Sequence, residues 1–205
     1  MKEIYLKEDS IDEIDKLDEY NEEYKNLYPD YVPFVTPNTY QELLENNKLL
    51  KKGIGNNGIC EIYYWVIEKE KIVGHASIRL NPEIDEDVLK YCGHIMYGVV
   101  PSKRKSGYGT TICHLLIEKM NELGYKEIIV TCNHDNIGSS KVIENNSGEF
   151  IEEVEPDMIN AINNTKRYKI NVEKSLKEYN NRTKNNLENF FTSDNENNND
   201  KQNVK

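Results

Sequence analysis

The residues with the plainest chemical potential lie in one run, Val99-Val100-Pro101-Ser102-Lys103-Arg104-Lys105-Ser106-Gly107-Tyr108-Gly109-Thr110. An apolar segment, Ile95 to Val100, leads into it and reads as a buried strand. Pro101 ends that strand, because proline cannot donate to a central ladder. Behind the turn, Ile112, Leu115, Leu116, Met120 and Leu123 recur at helical spacing as far as Gly124, a helix stop. A basic turn between a strand's end and a helix's start suits an anion: the first helical N–H groups lack partners, and the helix dipole adds positive potential. Gly107 and Gly109 let the main chain approach a ligand closely or take positive φ. The turn therefore reads as a diphosphate cradle formed by Arg104, Lys105, Ser106, Gly107, Tyr108, Gly109 and Thr110, with the charges of Lys103 to Lys105 inside it. It has no Gly-Lys-Ser/Thr ending like that of a nucleotidase phosphate loop, and its two glycines fall short of the dinucleotide fingerprint.

Positioning such a cradle requires a strand–turn–helix–strand unit, and the chain supplies one. Glu127 to Cys132 is a second continuous apolar strand, reached through the helix, so the crossover should be parallel and right-handed. Upstream, Glu3 to Leu6 reads as a short strand. Ser10 and Glu13 form a capping box ahead of a helical stripe at Ile11, Ile14, Leu17, Tyr20 and Tyr24. A second helix is expected from about Thr39 to Lys51. Cys60 to Ile67 and Ile72 to Leu80 flank a charged turn and read as a hairpin. Downstream, a short helix from Asn136 to Asn146 precedes an antiparallel pair, Phe150 to Val154 and Lys166 to Val172, around an Asn-rich loop. The composition changes near Lys174, and Thr192 to Lys205 is almost wholly Asn, Asp, Glu and Lys, too polar to order itself. The expected division is a domain over 1–173 and a polar extension over 174–205.

Composition bounds the function. A net charge of −10 over 205 residues argues against binding nucleic acid or an anionic membrane through the bulk surface, and it suits a cationic amine. The amino terminus does not read as a signal peptide, and no run approaches the ~20 apolar residues of a membrane span. Cys60, Cys92, Cys113 and Cys132 are widely spaced and read as buried, reduced thiols, so the cytoplasm is the expected location. The four histidines show no metal-ligand spacing, and no metal is expected.

A second motif gives the cradle its context. The segment from Asn136, Asn-Ile-Gly-Ser-Ser-Lys-Val-Ile-Glu-Asn-Asn-Ser-Gly148, resembles the signature Asn-x-x-Ser/Ala-x-x-x-hydrophobic-Glu-x-x-Gly of the GNAT N-acetyltransferases. The Arg104-x-x-Gly107-x-Gly109 turn after a Val-x-Pro strand end is similar to that family's acetyl-CoA loop. Gly93-His94-Ile95-Met96-Tyr97 and Ile78-Arg79-Leu80-Asn81 resemble the branch akin to the ribosomal-protein N-acetyltransferases. The resemblance implies an α/β fold with a twisted, mixed sheet of six to seven strands flanked by helices. The fourth and fifth strands would part around pantetheine, with Gly98 at a bulge. It also implies acetyl-CoA as cosubstrate. Backbone groups of Val99 and Val100 would hold the pantetheine amides, amides from Lys105 to Thr110 the pyrophosphate, and Asn136 the pantetheine arm, with Ser139 near the sulfur.

Acyl transfer to an amine needs a base, an oxyanion donor and, for some thiolates, an acid. The candidate base is His94, whose competing reading is a core histidine bonded to backbone. Val99 N–H is the candidate oxyanion donor. Many relatives place an acidic tyrosine where this chain has Ile143, so Ser139 is named as the substitute acid, against a reading in which it merely caps or packs in its helix. Tyr97 reads as core, Arg79 as an edge ion pair, and His114 as lying on the polar side of its helix. The Tyr28 to Phe34 segment reads equally as an acceptor-pocket wall or a packed connection. Transfer is expected to be direct, onto a primary amine of a small molecule or peptide, because no cysteine sits at the cleft with a histidine beside it. A homodimer is compatible with this reading. The rivals are a non-catalytic CoA-binding module on the same fold and an unrelated nucleotide-phosphate binder.

Overall fold

The computed structural model describes residues 3–33, 35–156 and 163–185. The charged turn forms as expected: Lys69 and Glu70 both take positive φ, the geometry of a tight two-residue hairpin, and join β2 (Cys60–Glu68) to β3 (Lys71–Leu80). β1 (Tyr5–Glu8) pairs with β2 and β4 (Ile95–Val99) with β3, giving an antiparallel sheet in the order β1-β2-β3-β4. β5 (Glu127–Asn133), β6 (Gly148–Val154) and β7 (Thr165–Asn171) make a second antiparallel sheet in the order β5-β7-β6. Among the described residues the expected six to seven strands are thus seven, in two sheets that meet between β4 and β5.

The helical stripe after Ser10 divides into a 3-10 segment, Ile11–Lys16, and α1 (Leu17–Leu27). The reason is local. Ser10 Oγ bonds the Glu13 carboxylate at 2.8 Å instead of a backbone N–H, and buried Glu13 is held by Lys7 at 2.6 Å, so the capping box stays open. α2 (Tyr40–Leu50) follows the aromatic segment. α3 (Glu86–Tyr91) starts where the Asp85 side chain accepts from the N–H groups of Asp87 and Val88. α4 (Tyr108–Glu122) inserts Ile112, Leu116, Ile117 and Met120, all fully buried, each contributing about 1.5–3 kcal/mol by burial. α5 (Ile137–Asn145) packs beside it. Side chains alternate across the first sheet, and two contacts identify its faces. A Cβ at Gly74 would touch Ile112 of α4, whereas His75 reaches Tyr20 of α1. The helix pair α1–α2 and helix α4 therefore cover opposite faces.

A further helix, α6, runs over 172–185 and crosses the expected boundary at 173/174. Val172 and Ser175 are buried in it, and Ser175 Oγ donates to Asn146 C=O at 2.7 Å. Tyr179 stacks on His114 with centroids 3.5 Å apart, so His114 lies beneath a covering helix and not on a polar side. The polar run from Thr192 and most of the Asn-rich loop, 157–162, lie outside the described residues. All four cysteines are unpaired; Cys113 and Cys132 are buried as expected, but Cys60 is half-buried and Cys92 exposed. Among the described residues no helix is long and apolar enough to cross a membrane.

Candidate active site

β4 and β5 are fastened at one end only. His94 N–H donates to Ile129 C=O at 2.8 Å, and Ile129 N–H donates to His94 Nδ1 at 3.0 Å. Gly93 permits this approach, since a Cβ there would lie 2.6 Å from the Ile129 oxygen. Beyond that point β4 pairs only with β3, and β5 only with β7. The ladder's parity then decides which groups face the opening. Arg79 N–H donates to His94 C=O at 2.7 Å and Val100 N–H to Val73 C=O at 3.1 Å. Hydrogen-bonded and non-bonded pairs alternate along an antiparallel ladder, so Ile95, Tyr97 and Val99 turn their N–H and C=O groups away from β3, toward β5. Val99, the expected oxyanion donor, therefore edges the opening, while Val100 N–H is taken by Val73. The β3–β4 register runs without a shift, so Gly98 makes no bulge. It leaves room for the His75 imidazole instead: a Cβ there would lie 2.3 Å from Cε1 and 2.5 Å from Nε2.

A cavity of about 260 Å³ occupies the opening, walled by Arg79, Met96, Tyr97, Cys132, Asn133 and Ser139 among others. The Tyr97 hydroxyl is buried there, and the Ser139 side chain is its hydrogen-bonding neighbour, at a geometry short of a full hydrogen bond. Burial raises the phenol's pKa and keeps it protonated. Asn136 caps α5, its Oδ1 accepting from Ser139 N–H at 3.0 Å, which leaves its amide NH2 as the group able to meet a ligand. Ile143 is fully buried core, so no hydroxyl enters from that position. Arg79 forms a buried ion pair with Glu61 at 2.9 Å, and Ser77 Oγ donates to the same carboxylate oxygen at 2.7 Å. β3 is an inner strand, so this pair is no edge feature, and it fixes Arg79 in the cleft wall.

The cradle is built as expected at its glycine. Gly107 caps α4 with φ of 86°, and nothing lies within 4 Å of where its Cβ would be. The N–H groups of Tyr108, Gly109 and Thr110 begin α4 and so have no intrahelical acceptor. The basic residues divide their labour. Lys103 is bound to Glu68 at 2.8 Å, and Tyr108 donates to the same carboxylate at 2.6 Å, so these two staple the loop to the end of β2. Arg104 turns inward, donating from Nε to Val99 C=O at 3.0 Å and from Nη1 to Tyr28 Oη at 2.9 Å. Lys105 is exposed with φ of 57°, and Ser106 Oγ donates to Arg104 C=O.

Two histidines flank β4. His94, expected as base, is buried at the fastened end. Its Nδ1 accepts from Ile129, so Nε2 carries the hydrogen in the neutral ring and faces Glu83 at 3.1 Å. Burial lowers its pKa despite the nearby carboxylate, and no lone pair is left for the opening. His75, which the sequence gave no reason to choose, sits at the open end over Gly98. Its Nδ1 lies 2.7 Å from Tyr20 Oη, and burial lowers its pKa as well. The only sequence signal was its register with Gly98, legible once the pairing of β3 and β4 is known. On the α1–α2 side, Tyr31 of the aromatic segment stacks on Tyr24 and walls a second cavity, of about 490 Å³.

The model of acetyltransferase (GNAT) domains matches residues 12–147. The structure of the ribosomal-protein-S5-alanine acetyltransferase from Vibrio fischeri is similar, with a TM-score of 0.61 at 17% identity over 83% of this chain and 94% of its own. RimJ of Mycobacterium smegmatis, in complex with CoA-disulfide, has a TM-score of 0.61 at 12% identity over 83% of each chain. The microcin C7 self-immunity acetyltransferase MccE, in complex with acetyl-CoA and AMP, has a TM-score of 0.61 at 15% identity, covering 83% of this chain and 93% of its own. No curated protein sequence matches the chain.

Proposed function

Because the chain belongs to the GNAT acetyltransferases, enzymes that draw an acetyl group from acetyl-CoA, we propose that it passes that group directly to a primary amine arriving from the α1–α2 side of the opening. One observation carries this reading: Val99 turns its N–H and C=O into a parting of two strands that ends at the start of α4, whose first N–H groups no side chain satisfies. Amides of Ser106 to Thr110 would hold the pyrophosphate, with Lys105 beside them. A pantetheine amide bonding Val99 C=O would replace Arg104 and free that guanidinium for the phosphates. Asn136 would steady the pantetheine arm through its NH2.

In this scheme His75 takes the amine's proton, which requires the tautomer in which Nδ1–H donates to Tyr20 and the Nε2 lone pair faces the acceptor. Val99 N–H meets the negative charge growing on the acyl oxygen. The new C–N bond forms as the C–S bond breaks, and Tyr97 gives the sulfur its proton. Solvent returns that proton to Tyr97 and removes the one on His75, so the net transfer is one proton from nitrogen to sulfur. Ser139 lies beside Tyr97 as a second hydroxyl. His94 pins β4 to β5.

The buried Tyr97 hydroxyl, whose bond to Ser139 is poorly formed, and the desolvated His75 favour an enzyme over a module that only binds CoA. Structural neighbours include acetyltransferases of ribosomal proteins and of spermidine, so peptide and small amine both stand as acceptor classes. Four unpaired thiols fit a reducing compartment such as the cytoplasm, and the acidic net charge suits neither nucleic acid nor an anionic membrane. The test is thiol release from acetyl-CoA across a panel of amines, paired with CoA affinity. Gly107→Glu should weaken CoA binding at least ~100-fold, by straining a positive-φ site and placing a carboxylate in the cradle. Unchanged affinity would remove the cradle from the scheme, and CoA binding without thiol release from any amine would favour the module.

A further inference from the structure

The cavity of about 490 Å³ beneath α1 and α2 is walled by Tyr20, Tyr24, Tyr31, Tyr63, Trp65 and Met96. Met96 also walls the opening between β4 and β5, so the two spaces abut through one side chain. Two cross-strand rows make the ceiling: Tyr63–Ser77–Met96 and Trp65–His75–Gly98. The second row ends at the histidine already placed as base. At the far side stands Asp9, which follows β1 and donates its backbone N–H to Tyr63 C=O at 3.2 Å. Three strand spacings separate β1 from β4, or about 14 Å from backbone to backbone.

Asp9 is the one carboxylate in that wall. Asn47 Nδ2 donates to it at 2.7 Å, yet among the described residues no lysine, arginine or histidine lies within 4 Å of it. Its own backbone N–H and, from beyond 4 Å, the Lys51 ammonium that pairs with Glu8 also favour its charge, but no cation touches it, and a ligand that brings a donor or a cation would supply that direct contact. Between the two polar ends the lining is mostly aromatic, completed by Val35, Leu43 and Met96. Such walls suit a flat apolar body, with offset or edge contacts to tyrosine and tryptophan, far better than a hydrated backbone rich in its own hydrogen bonds.

We infer that the acceptor is a small amine built on an aromatic ring, with a second hydrogen-bond donor or cation at its distal end to meet Asp9. The inference rests on the acetyltransferase reading for the direction of the reactive amine, toward Met96 and His75. The ring and the distal donor rest on the cavity alone.

Trp65 is the chain's single tryptophan and is buried against this cavity, so its emission reports occupancy without any acetyl-CoA. The full chain would be titrated with p-xylylenediamine, phenethylamine, spermidine and a Ser-Ala-Ala tripeptide. The expected result is saturable quenching by p-xylylenediamine, at least tenfold tighter than by phenethylamine, which lacks the distal donor, or by spermidine, which lacks the ring. Asp9→Asn should erase the margin over phenethylamine. Leu43→Phe, which fills part of the cavity from α2, should weaken both aromatic amines while leaving CoA affinity as it was. Tighter binding of spermidine or of the tripeptide overturns the aromatic class, and so does the absence of quenching by any probe in a protein that still binds CoA. Tight ring binding together with no thiol release from acetyl-CoA would instead leave this inference standing and count against the enzymatic reading.

Discussion

The two ends of β4 hold the same kind of side chain in opposite surroundings. At the fastened end, His94 is buried with both ring nitrogens engaged, one by the Ile129 N–H and one facing Glu83. At the open end, His75 has one nitrogen against Tyr20 and the other edge over Gly98, beside the Val99 groups that face the gap. Burial lowers both pKa values, so both rings are neutral near pH 7, and titration does not separate them. What separates them is where the hydrogen bonds go. A histidine whose lone pair is occupied by a neighbouring strand can only hold, whereas one with a lone pair toward a cavity can take a proton.

The largest effect should come from breaking the open end. His75→Gln is expected to lower kcat by about 10²–10⁴-fold with CoA affinity unchanged. The pH profile sharpens the assignment. The neutral ring is the active form, and burial depresses its pKa below the ordinary 6.5, so wild-type kcat/KM should hold as pH falls past 6.5 and decline only through the lower value. That acid limb should vanish in the variant; an intact limb would place the base elsewhere. The matching change at the fastened end is His94→Leu. It leaves the Ile129 N–H without its acceptor and should cost about 2–3 kcal/mol of stability, with kcat within a few-fold of wild type. A large loss of kcat at unchanged Tm would reverse the two roles.

This contrast also marks what could be read from the chain alone. The strand–turn–helix unit around Gly107, the hairpin at Lys69-Glu70 and the helix beginning near Asn136 were legible, because each rests on local preferences for φ, for turns or for helix ends. His75 was not, since its role depends on lying opposite Gly98 across a ladder whose register no local signal specifies. The charges of Lys103 and Arg104 were legible as charges but not as partners: Glu68 and Val99 C=O claim them from strands remote in sequence. The acidic tyrosine missing at Ile143 suggested Ser139, and the fold sets a second hydroxyl, that of Tyr97 on β4, in the same cavity.

Tyr97 offers a smaller test of the open end. Tyr97→Phe should lower kcat about tenfold, the modest factor expected when a thiolate already leaves readily. The deficit should shrink with an acetyl donor whose thiol is more acidic than that of CoA, since a weaker base needs less protonation. The same variant should lose no more than about 1 kcal/mol of stability, because the hydroxyl it removes has only a poorly formed bond to Ser139. An equal kinetic deficit with both donors would make Tyr97 a packing residue.

The smallest effect concerns a third histidine, which neither holds a strand nor faces a cavity. His114 on α4 lies under Tyr179 of α6, and its pKa is pushed down to about 4, first by burial and then by the Arg182 guanidinium, although Glu118 stands 3.5 Å away. Between pH 4 and 6.5 the unfolded chain binds a proton that the folded chain refuses. The contribution to stability is therefore complete above pH 6.5 and is lost as pH falls toward 4. Relative to His114→Phe, which keeps a ring for Tyr179, the wild type should lose about 2 kcal/mol between pH 7 and pH 5, or roughly 4–8 °C in Tm. Parallel Tm–pH curves for the two proteins would mean that the ring takes up its proton while folded, which it can do only if α6 lifts from α4.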